Sequence, residues 1–197
     1  KGEKIGILGS TGCGKSTLVN LITRFYDTTS GEVYVDGKNV KDYTFDSLRS
    51  KVVLVLQKSE LYSGTIKENI KYNNTNVTDK EVMEACKVVG IDHFIKTLPK
   101  ELDSEVGDNE EISSGQKQLI TIARGMLEER PFLILDEATS NVDTRTEELV
   151  QKAMDKLTVG RTSFIIAHRL STIKNADLIL VLKAGNIVEQ GDHEELM

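Results

Sequence analysis

The sequence predicts an α/β fold: a parallel sheet with helices on its faces, interrupted by a helical insert and accompanied by a truncated antiparallel β portion. Three observations predict it. Short apolar runs alternate with helical periodicity at both ends of the chain, as expected when helical crossovers cover a parallel sheet. Residues 58–129 favour helix and contain no strong strand. A glycine-rich turn joins the first predicted strand to the first predicted helix.

Composition narrows the function classes. The 197 residues are 39% apolar and 28% charged, which is the balance of a folded domain rather than a disordered chain. The longest apolar runs, Val52 to Leu56 and Leu178 to Leu182, fall far short of the about 20 residues a membrane helix needs. Neither a membrane span nor a signal peptide is expected. The net charge of -6 gives no general electrostatic footprint for nucleic acid, so no nucleic-acid partner is expected. The two cysteines, Cys13 and Cys86, have no zinc-like or disulfide-like spacing and fit a reducing compartment.

Taken in order, Ile5 to Leu8 reads as a buried strand. Lys15 to Phe25 has helical spacing, with Leu18, Leu21, Ile22 and Phe25 on one face. Glu32 to Val35, followed by Asp36-Gly37, alternates and then turns, predicting a partly exposed strand and hairpin. Val52 to Leu56 is a further buried strand. Thr65 to Lys71, Asp79 to Val89 and Asp92 to Leu98 read as helices, and Thr78 or Asp79 can cap the second of them. A polar, acidic stretch from Glu101 to Ser114 precedes helical spacing over Gly115 to Glu128, and Pro131 punctuates the end of that segment. Strand and helix then alternate again: Phe132 to Leu135, a helix from Asp143 to Leu157, Ser163 to Ala167, and Leu178 to Leu182. The division that follows is a core of residues 1–57 and 130–197 around a helical subdomain of residues 58–129.

Gly9-Ser10-Thr11-Gly12-Cys13-Gly14-Lys15-Ser16 fits G-x-x-x-x-G-K-[ST], and it lies between a predicted strand and a predicted helix, the context that gives the motif meaning. Backbone N–H groups converge on a phosphate only where missing side chains allow close approach and positive φ. The helix start adds unpaired N–H groups and a positive dipole end. Lys15 neutralises the outer phosphates, Ser16 offers a hydroxyl to magnesium, and Thr17 follows in the same turn. These residues predict the core of a P-loop NTPase that takes a nucleoside triphosphate and Mg2+. Cys13 reads as a small loop residue; a helix start can also lower a thiol pKa.

The apolar run Phe132 to Leu135 ends in Asp136-Glu137, and ligands of open parallel sheets gather at the carboxyl ends of strands. Asp136 is the candidate to share the magnesium with Ser16. Glu137 is suited to polarise an attacking water, since phosphoryl transfer depends on in-line positioning. In isolation such an acidic pair is more often a helix cap.

At Ile112-Ser113-Ser114-Gly115-Gln116-Lys117-Gln118 the chain resembles the signature motif of ATP-binding cassette (ABC) proteins. The resemblance covers essentially the whole chain and is to the nucleotide-binding domain of a multidrug-type exporter. It implies ATP as the nucleotide. Gln57 sits at the family's glutamine loop, where it contacts metal or water, and Leu61 to Ile70 is similar to the exporter segment that follows. Ser140-Asn141-Val142-Asp143 occupies the D-loop position. His168, between Thr162 to Ala167 and Arg169-Leu170-Ser171, matches the switch histidine, where an imidazole stabilises the transferring phosphate. Glu105-Val106-Gly107 matches a loop that touches the transmembrane domains in the family. By the same resemblance Ser113, Gly115 and Gln116 of one domain close over the ATP held by the phosphate loop of a second domain. Taken alone, Ser113 and Ser114 are helix-capping residues and Asp143 caps the helix that follows it.

Three departures from the family pattern stand out. Ser114 replaces a glycine common in the signature, and Asn141-Val142 replaces Ala-Leu in the D-loop. No aromatic residue precedes Lys15, although the family stacks adenine on one. The abrupt opening at Lys1-Gly2-Glu3 implies a start inside a larger domain, whose absent strands would weaken nucleotide binding. The resemblance thus implies an ATP-hydrolysing domain at the cytoplasmic face of the cell membrane, partnered by a second such domain and by transmembrane domains. The alternative is a soluble ABC ATPase of DNA repair or translation, for which the long coiled-coil insertion or tandem cassettes are absent. A small-molecule P-loop kinase would need an acceptor site and lid, and no N-K-x-D element marks a GTPase.

Overall fold

Strand β1 (Lys4–Gly9) leads through the glycine-rich turn into α1 (Lys15–Ile22), followed by a hairpin of β2 (Tyr34–Val35) and β3 (Lys38–Asn39), then α2 (Phe45–Arg49) and β4 (Val52–Val55). Next come β5 (Gly64–Thr65), α3 (Ile66–Lys71), α4 (Asp79–Val89), α5 (Asp92–Thr97), β6 (Glu105–Val106) and α6 (Ser114–Met126). The chain closes with β7 (Phe132–Asp136), α7 (Thr144–Thr158), β8 (Thr162–Ala167), α8 (Leu170–Ile173), β9 (Leu178–Lys183) and β10 (Asn186–Gly191). This computed structural model describes residues 2–56, 60–106, 112–136, 144–167 and 170–197. Two compact units emerge, one of Lys1–Leu54, Arg130–Glu137 and Gly160–Met197, the other of Val55–Glu129 and Ala138–Val159.

The first unit is organised by a six-stranded sheet in the order β10-β9-β1-β8-β7-β4. β1 runs parallel to both β8 and β9, β7 runs parallel to β8, and β10 is antiparallel to β9. This is the parallel-dominated α/β sheet expected from the sequence. Leu133, Ile134 and Leu135 are all fully buried, because a strand covered on both faces carries an unbroken apolar run. Ile7, Val19, Val52, Ile134, Ile166 and Leu182 form one core cluster that also takes in Cys13. The β2–β3 hairpin turns through Asp36 (φ 51°) and Gly37 (φ 72°), the two left-handed positions of a tight hairpin turn.

The second unit is helical, and α3, α4 and α6 start where side chains satisfy free N–H groups. Thr65 with Glu68, Thr78 with Glu81, and Ser113 with Gln116 each make a reciprocal capping box. Thr78 rather than Asp79 is the cap of α4, which stops at Gly90 (φ 85°), a left-handed residue suited to glycine. Arg124 on α6 donates from Nε to the Asn69 carbonyl at 2.7 Å and lies over the Tyr62 and Tyr72 rings. Asn69, itself buried, bonds the backbone of Tyr62 and Thr65. Burial pushes the Cys86 thiol on α4 up to about 12, so it stays neutral and inert.

Several sequence-based expectations change. Helix α1 ends at Ile22, and Phe25 is 53% exposed rather than part of the buried face. The cause is Arg24 at φ 53°, which turns the chain away and sets Phe25 under the Arg49 guanidinium at 4.6 Å. The helical middle does contain strand, the two-residue ladder of β5 with β6. Helices α2 and α8 and strand β10 were not anticipated. Helix α7, which the sequence-based division put in the core, groups with the second unit because it packs on α6 and α4.

Ile134→Ala, a truncation at a fully buried position of the sheet, is expected to lower unfolding free energy by about 2–5 kcal/mol. Urea denaturation followed by circular dichroism measures it.

Candidate functional site

The phosphate loop is shaped by three constraints that act from inside the first unit. Gly12 (φ 80°) and Gly14 (φ 108°) hold left-handed backbone, so the turn can wind tightly without a side chain on its inner edge. The Cys13 N–H donates to the Ser10 carbonyl at 3.2 Å, closing that turn. Gly9 is a packing requirement, because a Cβ there would lie 2.5 Å from both Cys13 Sγ and the Leu182 carbonyl oxygen.

Helix α1 begins at this loop with its N-terminus open. Gly14 is the N-cap, no side chain caps the helix, and no acidic residue lies in its first turn. Its early N–H groups and dipole therefore remain available to an anion. Ser10, Thr11, Gly12, Ser16 and Thr17 are exposed, whereas Cys13 and Lys15 are buried.

Lys15 is the informative residue. Its side chain folds back over the loop, where Nζ donates to the Gly9 carbonyl at 2.7 Å and the Ser10 carbonyl at 3.0 Å, with Cys13 Sγ at 3.8 Å. Lys15 is only 6% exposed, and among the described residues no carboxylate forms an ion pair with it. A buried cation is costly where carbonyl dipoles alone surround it, and an anion brought to the loop lowers that cost.

Asp136 is the last residue of β7 and pairs in register with Ile166 of β8, which pairs with Ile7 of β1. Because these strands are parallel, Asp136 lies at the same end of the sheet as Gly9, where β1 gives way to the phosphate loop. Ser16 and Asp136 offer hard oxygen donors, and among the described residues no cluster of three or more His, Cys, Asp or Glu forms a cage for a metal. That donor set fits magnesium, which keeps waters and substrate phosphates in its shell and needs few protein ligands.

In the second unit, Ser113 is the N-cap of α6. Ser113 Oγ accepts from the Gln116 N–H at 3.2 Å and Gln116 Oε1 accepts from the Ser113 N–H at 2.9 Å. Both side chains are thus engaged in capping, while Gly115 is buried against the unit. Gln57, Glu137, Ser140, Asp143 and His168 lie outside the described residues. The sequence reading missed the turn between β9 and β10, whose Gly185 N–H donates to the Cys13 carbonyl at 2.9 Å. Ala184-Gly185, following a strand and preceding Asn186-Ile187, is a hairpin signal that could have found it.

The parallel sheet, the glycine loop and the open helix start together define a nucleoside-triphosphate-binding domain of the P-loop class. The family profile described as ABC transporter matches residues 1–140. Over its whole length the chain is 53% identical to a Mycobacterium bovis fatty acid ABC transporter ATP-binding/permease protein, of which it covers 31%. It is 50% identical over 198 aligned residues to a Staphylococcus aureus ATP-binding/permease protein named for multidrug export, covering 34% of it. A solved structure of a bacterial Atm1-family ABC exporter with ATP bound superposes at a TM-score of 0.89 with 42% identity, over 99% of this chain and 34% of that one. The chain belongs to the ABC transporter family. It spans about a third of the length of the relatives it matches, and among the described residues no helix is long and apolar enough to cross a membrane.

Gly9→Ala is expected to weaken ATP binding at least about tenfold, a displacement of the loop worth about 1.4 kcal/mol. Equilibrium titration with a fluorescent ATP analogue tests it.

Proposed function

We propose that this domain binds Mg2+-ATP on the phosphate loop and hydrolyses it to drive export of a molecule across a membrane. The observation that carries the reading is the buried Lys15 ammonium, which has no carboxylate partner among the described residues and stands beside an open helix start. In this reading the N–H groups from Gly12 to Thr17 wrap the phosphates and Lys15 turns from its carbonyls to the outer phosphates. Ser16, Asp136 and Gln57 hold magnesium, which supplies charge neutralisation to the transferring group. Glu137 positions and polarises the attacking water, and His168 donates to the γ-phosphate. The roles of Gln57, Glu137 and His168 rest on sequence position and family resemblance.

The proposal extends to partners. A second nucleotide-binding domain, identical or related, presents Ser113, Gly115 and Gln116 to the ATP held by the first, with Ser140 and Asp143 at the junction. Support comes from family resemblance at residues 112–118 and from the first turn of α6, which carries no acidic residue. The curated relatives are ATP-binding/permease proteins, so the partner across the membrane is a permease portion, and the domain works at the cytoplasmic face. None of these relatives is named for DNA repair or translation, and no observation favours that alternative.

Glu137→Gln, made in the full-length protein, is expected to lower turnover by about a hundredfold or more while leaving ATP binding intact. Phosphate-release kinetics decide it; undiminished release removes the role. Ser113→Arg is expected to spare ATP binding and stop hydrolysis, and normal turnover in that variant excludes a site shared between two domains.

A further inference from the structure

The phosphate loop rests on the hairpin that follows β9. β1 and β9 are parallel neighbours, with Gly9 opposite Leu182 in register, and the Leu182 carbonyl oxygen occupies the space where a Cβ on Gly9 would go. Two residues beyond the end of that contact, the chain reverses through Ala184 (φ 49°) and Gly185 (φ 81°). The reversal aims the Gly185 N–H at the loop, where it donates to the Cys13 carbonyl at 2.9 Å. Gly185 Cα also lies 3.5 Å from where a Cβ on Gly14 would stand. Cys13 is held from its other side as well, its side chain sharing a core cluster with Leu182, Ile7 and Val19.

We propose that the Ala184-Gly185 turn is a brace for the phosphate loop, and that the Gly185 N–H is a positioning group for nucleotide binding. The constraint on the loop is the direction its peptide groups face. A loop that binds phosphate must aim successive N–H groups at one point. The peptide joining Cys13 to Gly14 satisfies this only if its carbonyl faces the opposite way, toward the body of the domain. A buried carbonyl turned inward requires a donor, and Gly185 supplies it. The donor's own position needs left-handed φ at two consecutive residues, which a two-residue hairpin provides. Nothing lies within 4 Å of a Cβ built on Gly185, so the constraint on that position is its left-handed backbone, which glycine and asparagine adopt most readily, and not space. Gly185 touches no reacting atom; it acts through the loop.

The inference rests on the reading that this loop binds ATP, and the test separates the two. In the full-length protein, the amide joining Ala184 to Gly185 is replaced by an ester, using glycolic acid at position 185. The change deletes the N–H and keeps the shape. It also weakens the Ala184 carbonyl, which accepts from Asn186 Nδ2 at 3.2 Å, so Asn186→Ala serves as the control for that bond. Gly185→Asn keeps the donor and tolerates positive φ. The ester is expected to raise the dissociation constant for ATP about fivefold to tenfold, the loss of one buried hydrogen bond's worth of loop order. Gly185→Asn and Asn186→Ala are expected to stay within about twofold of wild type. A purely structural bond would lower the thermal midpoint of the nucleotide-free protein and leave the dissociation constant unchanged; that result overturns the brace, as does equal weakening by Asn186→Ala. Failure of the unaltered protein to bind ATP would instead overturn the reading of the loop itself.

Discussion

The placement of one ammonium group organises the first unit. Lys15 Nζ sits among the Gly9 and Ser10 carbonyls with little exposure to water, and it can do so only because the loop around it is curled by left-handed glycines and pinned below by Cys13. The chain tolerates a buried positive charge because carbonyl dipoles solvate it, yet dipoles do not cancel it. The open start of α1 adds to the same positive potential. A polyanion is attracted by both, so the placement of the ammonium and the open helix start favour the same ligand.

The sheet makes this arrangement possible by bringing distant segments to one end. β1, β7 and β8 are parallel and in register, so Gly9 and Asp136 meet the same edge of the layer although they are far apart in sequence. β9 extends this end on the other side of β1, which is why its hairpin reaches the loop. The second unit has a different logic. There, the starts of α3, α4 and α6 are fixed by capping boxes and the packing centres on α6, with Arg124 tying the Asn69 segment to it. Ser113 therefore serves its own helix first, and any role toward a nucleotide must be compatible with that bond.

The parts of this molecule that local chemistry determines were legible in the sequence. The strand–loop–helix of residues 4–22 could be read from glycine spacing and apolar pattern, and so could β7 with its buried centre, because each depends on neighbours in the chain. What was missed depends on partners elsewhere. Phe25 continues the apolar spacing of α1, but the backbone at Arg24 leaves the helix before reaching it. β10 carries exposed residues along nearly its whole length and owes its strand form to pairing with β9. The β5–β6 ladder joins Gly64 to Val106, a pairing no local pattern announces. The link made by Gly185 has no local signature, since the carbonyl it serves belongs to Cys13. Gln57, Glu137, Ser140, Asp143 and His168 stand on resemblance to a family whose membership the chain's matches establish.

The most direct test of the central claim is the ATP-dependent rise in thermal unfolding midpoint for the full-length protein and its Lys15→Met variant, measured side by side with magnesium present. Ligand binding to the folded state raises the midpoint in proportion to affinity. A rise in the unaltered protein that disappears in the variant is the predicted result. An equal rise in both would mean that the buried ammonium is not what holds the triphosphate, and would contradict the account.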